Sequence, residues 1–205
     1  MKKRFVMILA LLVAYVAVFA AAGCTDADKN AEVSFSENYF VTYSDRSGRI
    51  LIAARYGDEF YVKRSEALPN TYTEKAYYPV DGGWQVYIKN GERWNSYGTE
   101  DSLDDALADI LGPVVEGMKS INSGSAEKTG KTSAELASGN FKGKNASEYL
   151  EKSTGNTYWV LDAYGIIYLT YSESDSFTLA EYYPLLDEQT FRAYCIPDRE
   201  ELIDN

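Results

Sequence analysis

Hydrophobic positions along this chain change period twice. Residues 39–64, YFVTYSDRSGRILIAARYGDEFYVKR, read as three strands broken at Ser44–Gly48 and at Gly57-Asp58, the latter a two-residue hairpin loop. EKAYYPV is a further strand, joined through Asp81-Gly82-Gly83 to WQVYIKNGERWNSY, where Asn90-Gly91 predicts a type I′ turn folding Trp84–Lys89 back on Glu92–Tyr97. The period then becomes helical. In residues 102–121, Leu103, Ala106, Leu107, Ile110, Leu111, Val114, Val115 and Met118 form one apolar stripe. Ser102 or Asp101 is placed to cap the helix, Asp104 and Asp105 suit its positive end, and Gly112-Pro113 predicts a kink or break. After a Gly/Ser/Lys/Asn-rich stretch, NTYWVLDAYGIIYLTYSESDSFTLAEYYPLL returns to strand periodicity, with turns at Asp162–Gly165 and Ser172–Ser176. The predicted fold class is α+β: a curved, half-barrel-like antiparallel sheet of two meanders packed on one or two helices.

Several strands are apolar on both faces. Ile50, Ile52, Ala54 and Tyr56 lie opposite Leu51 and Ala53, and Phe60 and Val62 lie opposite Tyr61. Ile166 and Tyr168 lie opposite Ile167 and Leu169. A half-exposed antiparallel sheet alternates more cleanly, so either both faces are covered or one lines a cavity.

Ahead of the strands stands an uncharged run, Phe5–Ala22, preceded by Lys2, Lys3 and Arg4 and followed by Gly23, Cys24 and the polar TDAD. As a helix these 18 residues would reach about 27 Å, long enough to span a bilayer. The basic start, apolar centre and small residues Ala20–Gly23 point instead to processing. AAGC resembles the lipobox of bacterial lipoproteins, in which the cysteine is diacylated and becomes the first residue of the mature chain. That resemblance implies a signal peptide over 1–23, a lipid on Cys24, a tether over 24–37 and one folded domain over 38–205. It also implies an extracytoplasmic chain held to a bacterial cell membrane or outer membrane by its acyl groups.

Without the leader, 17 of the 20 basic residues remain against all 31 acidic ones, a net charge of −14. A surface that acidic repels nucleic-acid phosphates and anionic head groups, so no nucleic acid is expected and the lipid must do the anchoring. With Cys24 acylated, Cys195 has no partner for a disulfide and reads as a buried, inert thiol.

Catalytic signatures are missing. The chain contains no histidine, which removes Ser-His and Cys-His pairs and every imidazole metal site, and no cofactor or metal is expected. Gly124 precedes Gly130-Lys131-Thr132 by one residue more than a P-loop allows, with no apolar strand ahead of it, so a surface loop or short polar strands are predicted there. The neighbouring carboxylates Asp105/Asp109, Asp26/Asp28 and Asp58/Glu59 read as a solvated acidic face, and the chain is not expected to be an enzyme.

The order of strand meander, helix, polar crossing and second meander looks like that of the LolA-like half-barrels, the fold of the periplasmic lipoprotein carrier. The residues carrying the likeness are Thr129-Gly130-Lys131, Gly143, Tyr149, Tyr158-Trp159-Val160-Leu161-Asp162, Tyr164-Gly165-Ile166 and a tail from Phe191 to Pro197. The resemblance covers residues 38–200 and implies a curved sheet around helices, with a cavity that holds acyl chains. Tyr78, Trp84, Tyr87, Trp94, Trp159 and Tyr183 are the candidates for lining a ligand site or contacting a partner, since amphipathic rings serve both. Two functions stay open: a non-catalytic binding module for a lipid or other apolar ligand, and an envelope interaction or structural protein with a filled core.

Overall fold

The computed structural model describes residues 32–65, 71–135, 139–196 and Leu202. The leader and Cys24 lie outside the described residues. Six strands come first: β1 (Tyr39–Asp45), β2 (Ile50–Tyr56), β3 (Glu59–Ser65), β4 (Tyr72–Val80), β5 (Gly83–Asn90) and β6 (Arg93–Glu100). Helix α1 (Leu103–Asn122) leads to β7 (Ala126–Ser133), a single 3-10 turn at Gly139–Phe141, and β8 (Ala146–Glu151). The chain then forms β9 (Asn156–Leu161), β10 (Ile166–Tyr171), β11 (Ser176–Tyr183) and helix α2 (Glu188–Tyr194).

All eleven strands form one curved antiparallel sheet, in the order β6-β5-β4-β3-β2-β1-β11-β10-β9-β8-β7. The two meanders grow outward from a seam where β1 pairs with β11, and the sheet stays open with β6 and β7 as its edges. One long connection is therefore required, and α1 supplies it. The helix carries the chain from the β6 edge to the β7 edge across one face, contacting β2, β3, β7, β10 and β11 on the way.

Local chemistry accounts for these elements. The Ser102 side chain accepts from the Asp105 N–H and caps α1, with Asp104 and Asp105 in the first turn. Pro113 removes one helical donor and crowds the preceding turn, and Leu111 leaves helical geometry at φ −115°, ψ 34°. The apolar stripe continues on both sides of this kink: Leu103, Ala106, Ile110, Leu111, Val114 and Val115 are all buried. In the β5–β6 hairpin Asn90 pairs with Arg93, so the two-residue loop is Gly91-Glu92, one position later than the sequence suggests. Gly91 takes the positive φ, 63°, that a primed turn needs at its first loop position, and Asn90 extends the strand instead. The Gly130-Lys131-Thr132 stretch lies on edge strand β7, in an irregularity of its pairing with β8 between Lys128 and Thr132. There Thr129 and Lys131 both bind the Glu148 carboxylate, at 2.7 Å and 3.0 Å.

The main core fills the α1 face, where Val41, Tyr43, Leu111, Val114, Leu161, Ile166 and Ile167 are fully buried. The segment read as a tether is docked from Val33 onward. Asn122, the last residue of α1, accepts from the Val33 N–H at 2.8 Å and donates to its carbonyl at 3.0 Å, and Val33 is buried in the core. On β10 the expected alternation fails. A register shift between Ile167 and Leu169 lets Ile166, Ile167 and Tyr168 all join this core.

Gly117 sits in the buried stripe for want of space. A Cβ there would come within 2.6 Å of the Tyr158 ring and 2.7 Å of the Ile167 side chain. Exposed Gly→Ala changes in helices gain about 1 kcal/mol, but overpacking a core costs about 1–3 kcal/mol. Gly117→Ala is therefore expected to lower stability by about 1–2 kcal/mol, measured as a reduced urea midpoint at unchanged m-value. A raised midpoint would show that α1 can move off the sheet.

Candidate functional site

The second face of the sheet carries two neighbouring cross-strand rows of opposite character. The first row runs Tyr183, Phe40, Ala54, Tyr61, Ala76, Tyr87 across β11, β1, β2, β3, β4 and β5. The second runs Glu181, Thr42, Ile52, Lys63, Glu74 across β11, β1, β2, β3 and β4. Directly opposed residues share a face, so the rows set an apolar and aromatic band beside a polar one.

A β-bulge creates the β11 end of both rows. Thr42 pairs with Glu181 but Tyr43 pairs with Leu179, leaving Ala180 as the extra residue. Before the bulge, Phe177 and Leu179 point into the α1 core. After it the phase is reversed: Tyr182 packs on that core, while Glu181 and Tyr183 face the other way. Without the extra residue Glu181 would be driven into the apolar core, because side chains alternate with period two.

Helix α2 and the segment before it cover part of this face. Asp187 caps α2, its two carboxylate oxygens accepting from the Thr190 N–H at 2.9 Å and the Thr190 hydroxyl at 2.8 Å. Phe191 is fully buried, 6.0 Å from the Tyr56 ring centroid. Arg192 makes a two-pronged ion pair with Glu59 at the β2–β3 hairpin. Phe191, Ala54, Tyr61, Ala76, Tyr78, Ile196 and Leu202 belong to a second, smaller core, with Tyr56 packed against it.

Between α2 and the rows lies a pocket of about 610 Å³. Phe40, Ile52 and Tyr61 form its floor, Leu186 and Cys195 its roof, and Tyr183, Leu185 and Tyr194 stand at its rim. Exposure at the rim is high for such side chains: Leu185 90 %, Tyr194 76 % and Tyr183 50 %. Lys63, Glu181, Asp187 and Thr190 complete the wall.

The charges around the pocket are mostly committed to one another. The Lys63 ammonium is 3.1 Å from one oxygen of Glu74, whose other oxygen accepts from the Tyr61 hydroxyl at 3.0 Å and from Lys89 at 3.4 Å. Burial alone would raise the Glu74 pKa, but the hydrogen bonds from Lys63 and Tyr61 and the charges of Lys63 and Lys89 hold it below the usual carboxylate value. Burial, reinforced by Glu74, pushes the Tyr61 hydroxyl pKa far up, so this group stays a neutral donor. Burial likewise pushes the Cys195 thiol up to about 12. Among the described residues no group of three His, Cys, Asp or Glu is placed to hold a metal ion.

Of the aromatic candidates, Tyr183 lines the pocket, edge-on to Phe40 at 5.9 Å. Tyr78 and Tyr87 are packed edge-to-face at 5.6 Å inside the second core, with Trp94 against it under the Lys89 ammonium. Trp84 packs on the α1 core, its indole N–H donating to the Asp58 carbonyl at 2.9 Å, whereas Trp159 alternates on β9 with Tyr158, whose ring meets Gly117 of α1, and so points away from the helix. Sequence reasoning passed over Phe40, Ile52, Lys63, Glu181, Leu185 and Tyr194. The apolar second face of β1–β3 was the available signal for Phe40 and Ile52, whereas the bulge that presents Glu181 left none.

The Glu74 carboxylate has a folded pKa below its unfolded value of about 4.3, so its contribution is complete above that pH and is lost as pH falls through the folded value. Glu74→Gln is expected to cost about 1–3 kcal/mol near pH 7 in urea denaturation, with the gap to the parent chain closing below about pH 4. A gap independent of pH would mean that the ion pairs contribute nothing. With its thiol raised to about 12, Cys195 should react with a disulfide reagent at neutral pH orders of magnitude more slowly in the folded chain than in urea. Equal rates would place the thiol outside this core.

No protein-family model matches the chain, and no curated protein matches it. Among solved structures it is similar to LprF from Mycobacterium bovis, at 11 % sequence identity and a TM-score of 0.38, over 74 % of this chain and 88 % of that one. At that level of likeness the fold rests on the chain's own topology, an open antiparallel sheet of eleven strands with a helix on each face.

Proposed function

We propose that this chain is an extracytoplasmic lipoprotein, anchored to the membrane through acyl groups on Cys24, whose folded part binds an apolar or amphiphilic ligand without catalysing a reaction. The observation that carries the reading is the pocket beneath α2. Its volume, about 610 Å³, falls within the range of about 300–1,000 Å³ typical of small-molecule sites, and its floor and roof are mainly apolar. Lys63 and Asp187, two of the three charged side chains in its wall, are engaged in structural contacts, which favours holding a ligand over transforming one. The LolA-like arrangement of elements points the same way, toward acyl chains.

Exposed Leu185 and Tyr194 at the rim favour a second reading, in which this face contacts another component of the envelope. Native mass spectrometry of the chain from Thr25 onward separates the two when paired with lipid analysis of an organic extract of the same sample. A stoichiometric lipid adduct, lost on substituting Ile52→Glu in the floor, is the expected result. A ligand-free mass that persists after incubation with membrane vesicles would sink ligand binding and leave the contact surface as the function.

A further inference from the structure

We propose that the pocket selects an amphiphile with a cationic head, a protonated amine or quaternary ammonium, and that Glu181 is the residue that holds it. This inference rests on the reading that the pocket binds an amphiphile and adds the chemistry of its head group.

Three charged side chains line the pocket: Lys63, Asp187 and Glu181. Lys63 is taken, bonded to Glu74 at 3.1 Å with its ammonium 4.3 Å from the centre of the Tyr72 ring. Asp187 is taken as well, since both of its oxygens serve the cap of α2. Glu181 is half-buried and has no hydrogen bond or ion pair among the described residues. Its charge is therefore the one in the wall left for a ligand. A half-buried carboxylate without a partner is costly, and a ligand cation offsets that cost.

Two further observations agree with this assignment. The bulge at Ala180 is what turns Glu181 out of the α1 core and into the pocket, so the carboxylate stands there through a specific backbone irregularity. Four aromatic rings, Phe40, Tyr61, Tyr183 and Tyr194, line the same pocket, and ring faces attract ammonium groups. An anionic head, such as a fatty-acid carboxylate, would meet Glu181 directly, while Lys63, the one cation in the wall among the described residues, is already bonded to Glu74.

Isothermal titration of the chain from Thr25 onward, near neutral pH, with decyltrimethylammonium, decanol and decanoate tests the proposal. The expected result is one site that takes the ammonium about tenfold more tightly than decanoate, with decanol between them. Glu181→Gln should abolish that preference while leaving decanol binding unchanged. Glu173→Gln, which makes the same charge change on an exposed turn, should preserve it. Equal affinity for the three head groups, or equal effects of the two substitutions, would overturn the head-group inference while leaving the pocket a ligand site. Absence of single-site binding by all three probes would overturn the pocket reading itself and this inference with it.

Discussion

A sheet that is apolar on both faces must be covered twice, and that requirement organises this protein. Val41 and Tyr43 of β1 point to one face and Phe40 to the other, while Ala53 and Ala54 of β2 divide in the same way. The two covers are unequal. Helix α1 has 20 residues and reaches from the first meander to the second, so it fills its face with a continuous core. Helix α2 has seven residues, enough to bury Phe191 against Tyr56 but not to close over Ile52 and Phe40, which remain in the pocket wall. The site is thus the part of an apolar face that its shorter helix leaves open.

The seam between β1 and β11 places chemistry in that opening. It joins strands more than 130 residues apart in the chain, Phe40 to Tyr183, and carries a bulge within it. Alternation along a regular β11 would have kept Phe177, Leu179 and Glu181 on one face, burying a carboxylate in the α1 core. One extra residue reverses the phase, and the strand then serves the core with its first half and the pocket with its second. The same device on β10 has the opposite effect, gathering three consecutive apolar side chains into one core.

Elements defined by local signals were legible in the sequence. The hairpin at Gly57-Asp58, the capped helix kinked near Pro113 and the turns at 162–165 and 172–176 all depend on residues close together in the chain. The two-faced apolar pattern of β2 and β3 correctly demanded a cover or a cavity, and the structure has both. What escaped depends on partners far away. Asn90-Gly91 is a strong turn signal, yet cross-strand pairing moved the loop to Gly91-Glu92. The tail from Phe191 carries no long helical period, but a cap at Asp187 and burial against β2 make it helical. Tyr78 and Tyr87 look like recognition residues by type, but their strand positions send them into a packed core. Residue type reports what a side chain can do; register decides whether solvent or a ligand can reach it.

Anchor and pocket make a coherent pair under the proposed function. From Cys24 to Val33, where the chain is clamped by Asn122, there are nine residues, a reach of at most about 30 Å when fully extended. A lipid on Cys24 would therefore keep the folded part within that distance of the bilayer although the net charge of −14 over residues 24–205 opposes adsorption to anionic head groups. The acidic surface favours cations in its neighbourhood, and within the pocket wall the same preference is concentrated at Glu181. On that reading apolar rings and aliphatics would supply affinity for a tail, the free carboxylate selectivity for a head, and a lipid on Cys24 proximity to the membrane. Each contribution answers a different cost of binding, which is why a small pocket with one uncommitted charge is a sufficient site.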